Sequence, residues 1–299
     1  MPEPTAALLD GAIVVDKPSG MTSHDVVASV RRALRVPRVG HTGTLDPMAT
    51  GVLPLLVGRA TRLAQFLAGA DKTYEARVRF GWATTTYDAL GEPTSATVAV
   101  ALDPAEVARA LARFEGAFDQ VPPAYSAKKV DGKRAYDLAR ADRATDLAPV
   151  RVTVRSLETL AVEGDAVVLR LTCSAGFYVR SLAHDLGAAL GIGGHLAALR
   201  RTASGPFSIG QAVELGDLLR EPAGAGRVLV PMAAVLPGLP EVTLDEAGVE
   251  RVRRGQDVPG PSVPAGVPFA RLLTPGGALA AIATPSAVGG VLHPVVVLM

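Results

Sequence analysis

A single cysteine, Cys173, occurs in 299 residues, so neither an internal disulfide nor a cysteine-based zinc cluster can form. The five histidines, His24, His41, His184, His195 and His293, are scattered without ligand spacing, and no metal is expected. Long apolar runs are also missing. The longest, Ala278 to Met299, is broken by two prolines, two glycines and a histidine, and reads as one or two strands, not a membrane span. The opening residues, MPEPTAALLDG, carry acids and lack a basic-then-apolar run, which argues against a signal or transit peptide. A soluble, cytoplasmic protein is the expectation. Aromatics are scarce at 4%, whereas 31 glycines and 23 prolines imply many turns, and 48% apolar residues argue against disorder.

Excess charge is missing too: the net charge of +1 is unlike that of a typical nucleic-acid domain. Its distribution is uneven. Residues 17 to 80 carry ten Lys or Arg against four acids, and a second cluster holds Lys128, Lys129, Lys133 and Arg134. Such clusters are ordinarily solvated faces.

The length exceeds the usual single domain, and the apolar content can fill one large core and a small second one. A strand is expected at Ala12 to Val15, then a helix from Thr22 to Arg35 with Asp25 in its first turn. Arg31, Arg32 and Arg35 crowd the end of that helix, where cations complement its dipole. Ala60 to Leu67 reads as a helix. Thr73 to Trp82 alternates with Tyr74, Ala76, Val78 and Phe80 on one side, the pattern of a half-buried strand. Asp103 and Pro104 open another helix. Val121 to Asp146 reads as a long loop with a short helix at Ala135 to Arg140. Paired strands are expected at Val150 to Val162 and Ala166 to Ala175, with Cys173 a half-buried residue of the second, followed by a helix from Val179 to Leu190. Glu221 to Pro240 reads as a passage between domains, and Thr243 to Glu246 as the capping box of a helix reaching Arg254. Strands outweigh parallel crossover units, so the class is α+β with a mostly antiparallel sheet.

One segment looks built around chemistry. GHTGTLDPMATGVLP, Gly40 to Pro54, is too irregular for a helix or strand interior, and Pro47 drives Asp46 towards an extended or turn conformation. An Asp-Pro dipeptide alone would only cap a turn. The whole string, however, resembles the aspartate loop of the bacterial tRNA pseudouridine synthase B (TruB) family. GAIVVDKPSGMTSHDVV, DKTYEARVRFGWATTTYDALGE, VPPAYSAKKVDGKRAYDLAR, CSAGFYVRSLAHDLG and HLAALRRTASGPFS resemble the family's other motifs in order, covering most of residues 11 to 210.

The resemblance implies a mixed-sheet pseudouridine synthase catalytic domain over residues 1–235, with an RNA-gripping loop at about 121–146, and a small β-rich PUA-like RNA-binding domain over 241–299. It implies isomerisation of the T-loop uridine at position 55 of tRNA, without metal or other cofactor. Asp46 would be the nucleophile, with attack at C1′ or at C6 left open, and Arg180 its cationic partner, holding the carboxylate charged. Ala175 and Phe177 depart from the family's frequent lysine and threonine, but Tyr178 and Arg180 are intact. Tyr74 would stack on the flipped base, Tyr178 and Leu199 would line its pocket, and His41 would meet the RNA where the base has left. Lys17 would support the loop or a phosphate, and Lys128, Lys129, Lys133 and Arg134 would grip the RNA backbone. A monomer without an obligatory protein partner is expected. The alternatives are a guide-RNA-dependent relative of the dyskerin type and an RNA-binding or tRNA-folding factor.

Overall fold

The computed structural model describes residues 9–94, 96–125, 129–130, 133–134, 147–260, 263, 266–286 and 289–299. Gly11–Lys17 is apolar on both sides because it lies inside a sheet: Ile13 and Val15 enter one core cluster, Ala12 and Val14 the other. Thr50–Val57 runs antiparallel beside it and divides its side chains likewise, Leu53 and Leu55 to one face, Val52 and Leu56 to the other.

The main sheet runs in the order Val213–Glu214, Gly11–Lys17, Thr50–Val57, Gly194–Ser204, Lys72–Phe80, Ala166–Cys173, Val150–Glu163, Gly116–Gln120. Along this path only the first pair and the pairing of Thr50–Val57 with Gly194–Ser204 are parallel. The class is α+β with a mostly antiparallel mixed sheet. Three amphipathic helices cover one face: Ser23–Leu34 through Val26, Val30 and Leu34; Pro104–Leu111 through Val107 and Leu111; and Val179–Ala189 through Leu182 and Leu186. Thr22 and Asp25 form a reciprocal capping box at the first, and Asp103 caps the second ahead of Pro104.

A second sheet, in the order Glu241–Thr243, Ala270–Leu273, Leu279–Pro285, Val291–Val297, Val258–Pro259, packs on the opposite face. Its Leu279, Ile282, Val296 and Leu298 share one apolar cluster with Val52, Leu56, Leu63 and Phe207. Arg59 Nη1 donates to the Leu298 carbonyl at 2.8 Å, and Arg62 donates to that of Val297.

Four local expectations change. Gly40 to Pro54, read as too irregular for a strand interior, begins in the strand Val39–His41 and ends inside Thr50–Val57, because pairing with Gly11–Lys17 buries the apolar Val52 and Leu53. Within the expected passage, Val230–Pro231 pairs antiparallel with Gly11–Ala12, because the apolar Leu229 and Val230 pack on the core. The helix Glu246–Arg253 is capped by Asp245 and not Thr243, since Thr243 is committed to a parallel pairing with Leu273. Ala60 to Leu67 is a 3₁₀ run over Gly58–Leu63 followed by one α-turn, Ala64–Leu67. The expected helix at 135–140 lies outside the described residues, as does Lys128, while Lys129–Val130 and Lys133–Arg134 pair as a minimal hairpin.

Candidate active site

Asp46 opens a tight turn in which the Ala49 amide donates to its carbonyl at 3.1 Å, with Pro47 supplying the fixed φ. Four ties hold the loop to the sheet and the first helix. Buried Ser23 both donates to the Leu45 carbonyl and accepts from the Leu45 amide, at 3.2 and 2.8 Å. The Gly20 amide donates to the Pro47 carbonyl at 2.8 Å. Lys17 is fully buried, its ammonium donating to the carbonyls of Pro18, Met21 and Pro47 at 2.8, 2.6 and 3.3 Å. Arg201, 1% exposed, donates to the carbonyls of Val52, Gly43 and Thr44 at 2.7, 3.0 and 3.4 Å. Gly51 lets that strand approach, for at φ +100° an added Cβ would lie 2.2 Å from the Arg201 carbonyl.

Arg180 reaches this loop from the first turn of Val179–Ala189. Its Nε and Nη2 donate to the two carboxylate oxygens of Asp46 at 2.9 and 3.1 Å, a bidentate pair spanning 134 residues of sequence. The remaining fork is also occupied. Nη2 donates to the Tyr125 carbonyl at 2.9 Å, Nη1 to that of Thr86 at 3.3 Å, and the Asp88 carboxylate lies 3.8 Å from Nε. The side chains of Arg180 and Asp88 are each 7% exposed, whereas Asp46 keeps 32%, so Asp46 alone of the three opens to solvent.

The pair stands at the edge of a cavity of about 270 Å³ lined by Tyr74, Tyr178 and Leu199, with Lys72 and Arg201. Alternation along Lys72–Phe80 turns Tyr74 inwards, and burial raises its phenol above the usual range, opposed by the charge of Arg201. Tyr178 is fixed by a clamp with buried Gln120, whose oxygen accepts from the Tyr178 amide at 2.8 Å and whose nitrogen donates to its carbonyl at 3.0 Å. His41 sits edge-on to His24 with ring centroids 5.6 Å apart. Burial, reinforced by His24 and Arg201, pushes its imidazole below the ordinary range. Burial likewise lowers Lys17 to about 8, against the opposing charge of Asp46, and lowers Lys72, whose ammonium donates to the Ala68 and Ala70 carbonyls.

Asp46, Arg180, Tyr74, Tyr178 and Leu199 therefore meet at one cavity, with Lys17 buried beneath the loop and His41 on the adjoining strand Val39–His41. Asp88, Thr86, Gln120, Lys72 and Arg201 escaped the sequence reading. The DAL turn after alternating Lys72–Phe80 was the one signal for Asp88; nothing local marks Arg201 apart from its neighbour Arg200, which pairs with Asp16. Among the described residues, no three His, Cys, Asp or Glu side chains converge to hold a metal.

The comparisons with known proteins place this fold in the pseudouridine synthase class. A chain in the crystal structure of a Cbf5–Nop10–Gar1 complex superposes with a TM-score of 0.76 at 28% identity, over 98% of this chain and 86% of that one. A chain of an H/ACA ribonucleoprotein bound to a substrate RNA containing 2′-deoxyuridine gives 0.75 at 27%, with the same coverage. The model of the TruB family pseudouridylate synthase N-terminal domain matches residues 31–179, and that of the tRNA pseudouridylate synthase B C-terminal domain matches 180–236. The tRNA pseudouridine synthase B of Solibacter usitatus is 53% identical over 84% of this chain and 86% of that protein. Its namesake from Dechloromonas aromatica is 42% identical over 96% and 94%. The chain belongs to the TruB family.

Proposed function

We propose that the chain converts the T-loop uridine at position 55 of tRNA to pseudouridine, with Asp46 as nucleophile. The observation that carries this reading is the bidentate Arg180–Asp46 pair at the edge of the cavity lined by Tyr74, Tyr178 and Leu199. The target base flips out of its stack, costing a few kcal/mol. Stacking on Tyr74, worth roughly 1–3 kcal/mol, offsets that cost, with Tyr178 and Leu199 closing the pocket. His41, neutral through burial, faces the gap the base leaves.

In the reaction the N1–C1′ bond breaks and the C5–C1′ bond forms; the C5 proton departs and N1 gains one. No electrons are exchanged, so no cofactor is needed. Asp46 attacks C1′ or adds to C6, its two oxygens aimed by the guanidinium fork. Lys17 and Arg201 hold the loop from beneath, each satisfied by backbone carbonyls. Lys128, Lys129, Lys133 and Arg134 grip the RNA backbone, and residues 241–299 serve as a PUA-like RNA-binding module beside the catalytic domain of residues 1–235. The protein acts in the cytoplasm as a monomer without an obligatory protein partner.

A tRNA transcript tritiated at uridine C5 tests this directly. Label release by the parent, mapped to the T loop, and none by Asp46→Asn, is the expected result. The likeness to a chain of an H/ACA ribonucleoprotein bound to a substrate RNA, an assembly with an RNA of its own besides the substrate, favours a second reading, guide-RNA dependence. Tight tRNA binding with no release until a guide RNA is added would establish it in place of ours. An Asp46→Asn protein that still rescued a cellular defect would point to a tRNA-folding role.

A further inference from the structure

Tyr87 is one of two non-glycine residues among those described with positive φ, at +63°. The other, Arg35, is a helix C-cap, a common home for left-handed backbone. Tyr87 has no such excuse, and a bulky side chain there is strained. Its neighbours explain what the turn achieves. On one side the Thr86 carbonyl accepts from Arg180 Nη1; on the other the Asp88 carboxylate lies 3.8 Å from Arg180 Nε. A reversal at Tyr87 points both at one guanidinium, and the Thr86 hydroxyl closes the turn by donating to Asp88 Oδ1 at 2.6 Å.

The ring of Tyr87 lies face to face with His184, centroids 3.8 Å apart and planes 14° off parallel. His184 stands four residues after Arg180 on the helix Val179–Ala189, on the same face one turn along. Its Nδ1 is buried and without a hydrogen-bond partner among the described residues. A left-handed tyrosine and an unsatisfied imidazole, each locally unfavourable, thus meet in a single contact beside the Arg180–Asp46 pair. Glycine would make the turn without strain, so the chain retains here a ring that the turn itself does not require.

We propose that Tyr87, stacked on His184, is a positioning residue: the stack fastens the turn to the helix that carries Arg180, so that Thr86 and Asp88 hold the guanidinium fork in register with Asp46. This rests on the reading of Asp46 and Arg180 given above. The stack is the grip, since among the described residues the other hydrogen bonds of Tyr87 are backbone ones, its amide donating to the Thr84 carbonyl and its carbonyl accepting from the Leu196 amide.

Single-turnover conversion of tritiated tRNA, with tRNA affinity measured in parallel, tests the proposal on Tyr87→Gly, Tyr87→Phe and His184→Ala. Tyr87→Gly keeps the turn and loses the ring; Tyr87→Phe keeps both. We expect Tyr87→Phe to match the parent, and Tyr87→Gly and His184→Ala each to slow conversion by roughly ten- to a hundredfold at unchanged tRNA affinity, the scale of a misplacement of about 1 Å. The double variant should be no slower than the slower single one, because both remove the same stack. Parent-like rates for Tyr87→Gly, losses that multiply, or losses appearing only in tRNA affinity would overturn it. Should His184→Ala fail to fold, the contrast between Tyr87→Gly and Tyr87→Phe decides alone. An inactive parent would instead refute the underlying assignment of function.

Discussion

Replacing Arg180 by methionine should cost stability for a reason separate from catalysis. The guanidinium faces two carboxylates of different standing: Asp46 is 32% exposed at its side chain, whereas Asp88 is 7% exposed, as is Arg180 itself. Without Arg180, Asp46 can turn to water. Asp88 cannot, and is left in a buried site without its cation, where among the described residues the Thr86 hydroxyl and the Leu90 amide donate to its Oδ1. Removing one partner of a buried ion pair costs about 3–5 kcal/mol, mostly through the charge left behind, and at 2–4 °C per kcal/mol this lowers Tm by roughly 6–20 °C. Adding Asp88→Asn removes that stranded charge while preserving shape and the acceptor oxygen. Arg180→Met/Asp88→Asn should therefore recover much of the lost Tm and yet release no tritium from C5-labelled tRNA, because nothing restores the fork on Asp46. Calorimetry and tritium release on the same preparations separate the two effects. A double variant no more stable than Arg180→Met, or an Arg180→Met protein melting like the parent, would refute the assignment of Asp88 as a charge held in place by Arg180.

Three further outcomes are expected. Lys17 falls from 10.5 to about 8 through burial, so between about pH 8 and 10.5 the unfolded chain binds more protons than the folded one and stability rises with pH. The Tm deficit of Lys17→Met relative to the parent should accordingly widen from pH 7 to pH 10, and a constant deficit would contradict the sign. Gly51→Ala forces a Cβ to 2.2 Å from a backbone carbonyl at φ +100°, which should cost several kcal/mol, at the high end of about 0.5–3 for single mutations, and be read as a fall in denaturant midpoint; a parent-like midpoint would contradict the close approach. Glutamine at Lys128, Lys129, Lys133 and Arg134 should flatten the salt dependence of tRNA binding by about 0.7–0.9 in logarithmic slope for each phosphate no longer neutralised. An unchanged slope would remove that loop from the RNA interface.

What the sequence conveyed and what it withheld divide along the range of the interactions. The capped starts at Thr22 and Asp103, the alternation that turns Tyr74 inwards and the turn around Asp46-Pro47 are all decided within a few residues, and each forms as expected. Asp88 and Arg201 act across the fold, on groups whose proximity is created only by the pairing of Thr50–Val57 and Lys72–Phe80 with Gly194–Ser204.

The basic stretch shows best why a charge count along the chain is ambiguous. Of its ten cations, Lys17 and Lys72 are buried on carbonyls, and Arg59, Arg77 and Arg79 pair with Asp10, Glu163 and Asp165. Arg62 serves the Val297 carbonyl. Arg31, Arg32, Arg35 and Arg38 alone in this stretch are exposed with neither an acid within 4 Å nor a side-chain hydrogen bond among the described residues, and they gather at the far end of the helix Ser23–Leu34. That helix carries His24 in its first turn, against His41, and its twelve residues extend about 18 Å. The field left for a polyanion is thus much narrower than the sequence total implies, and it lies at one end of a helix whose other end meets the aspartate loop through Ser23 and Leu45.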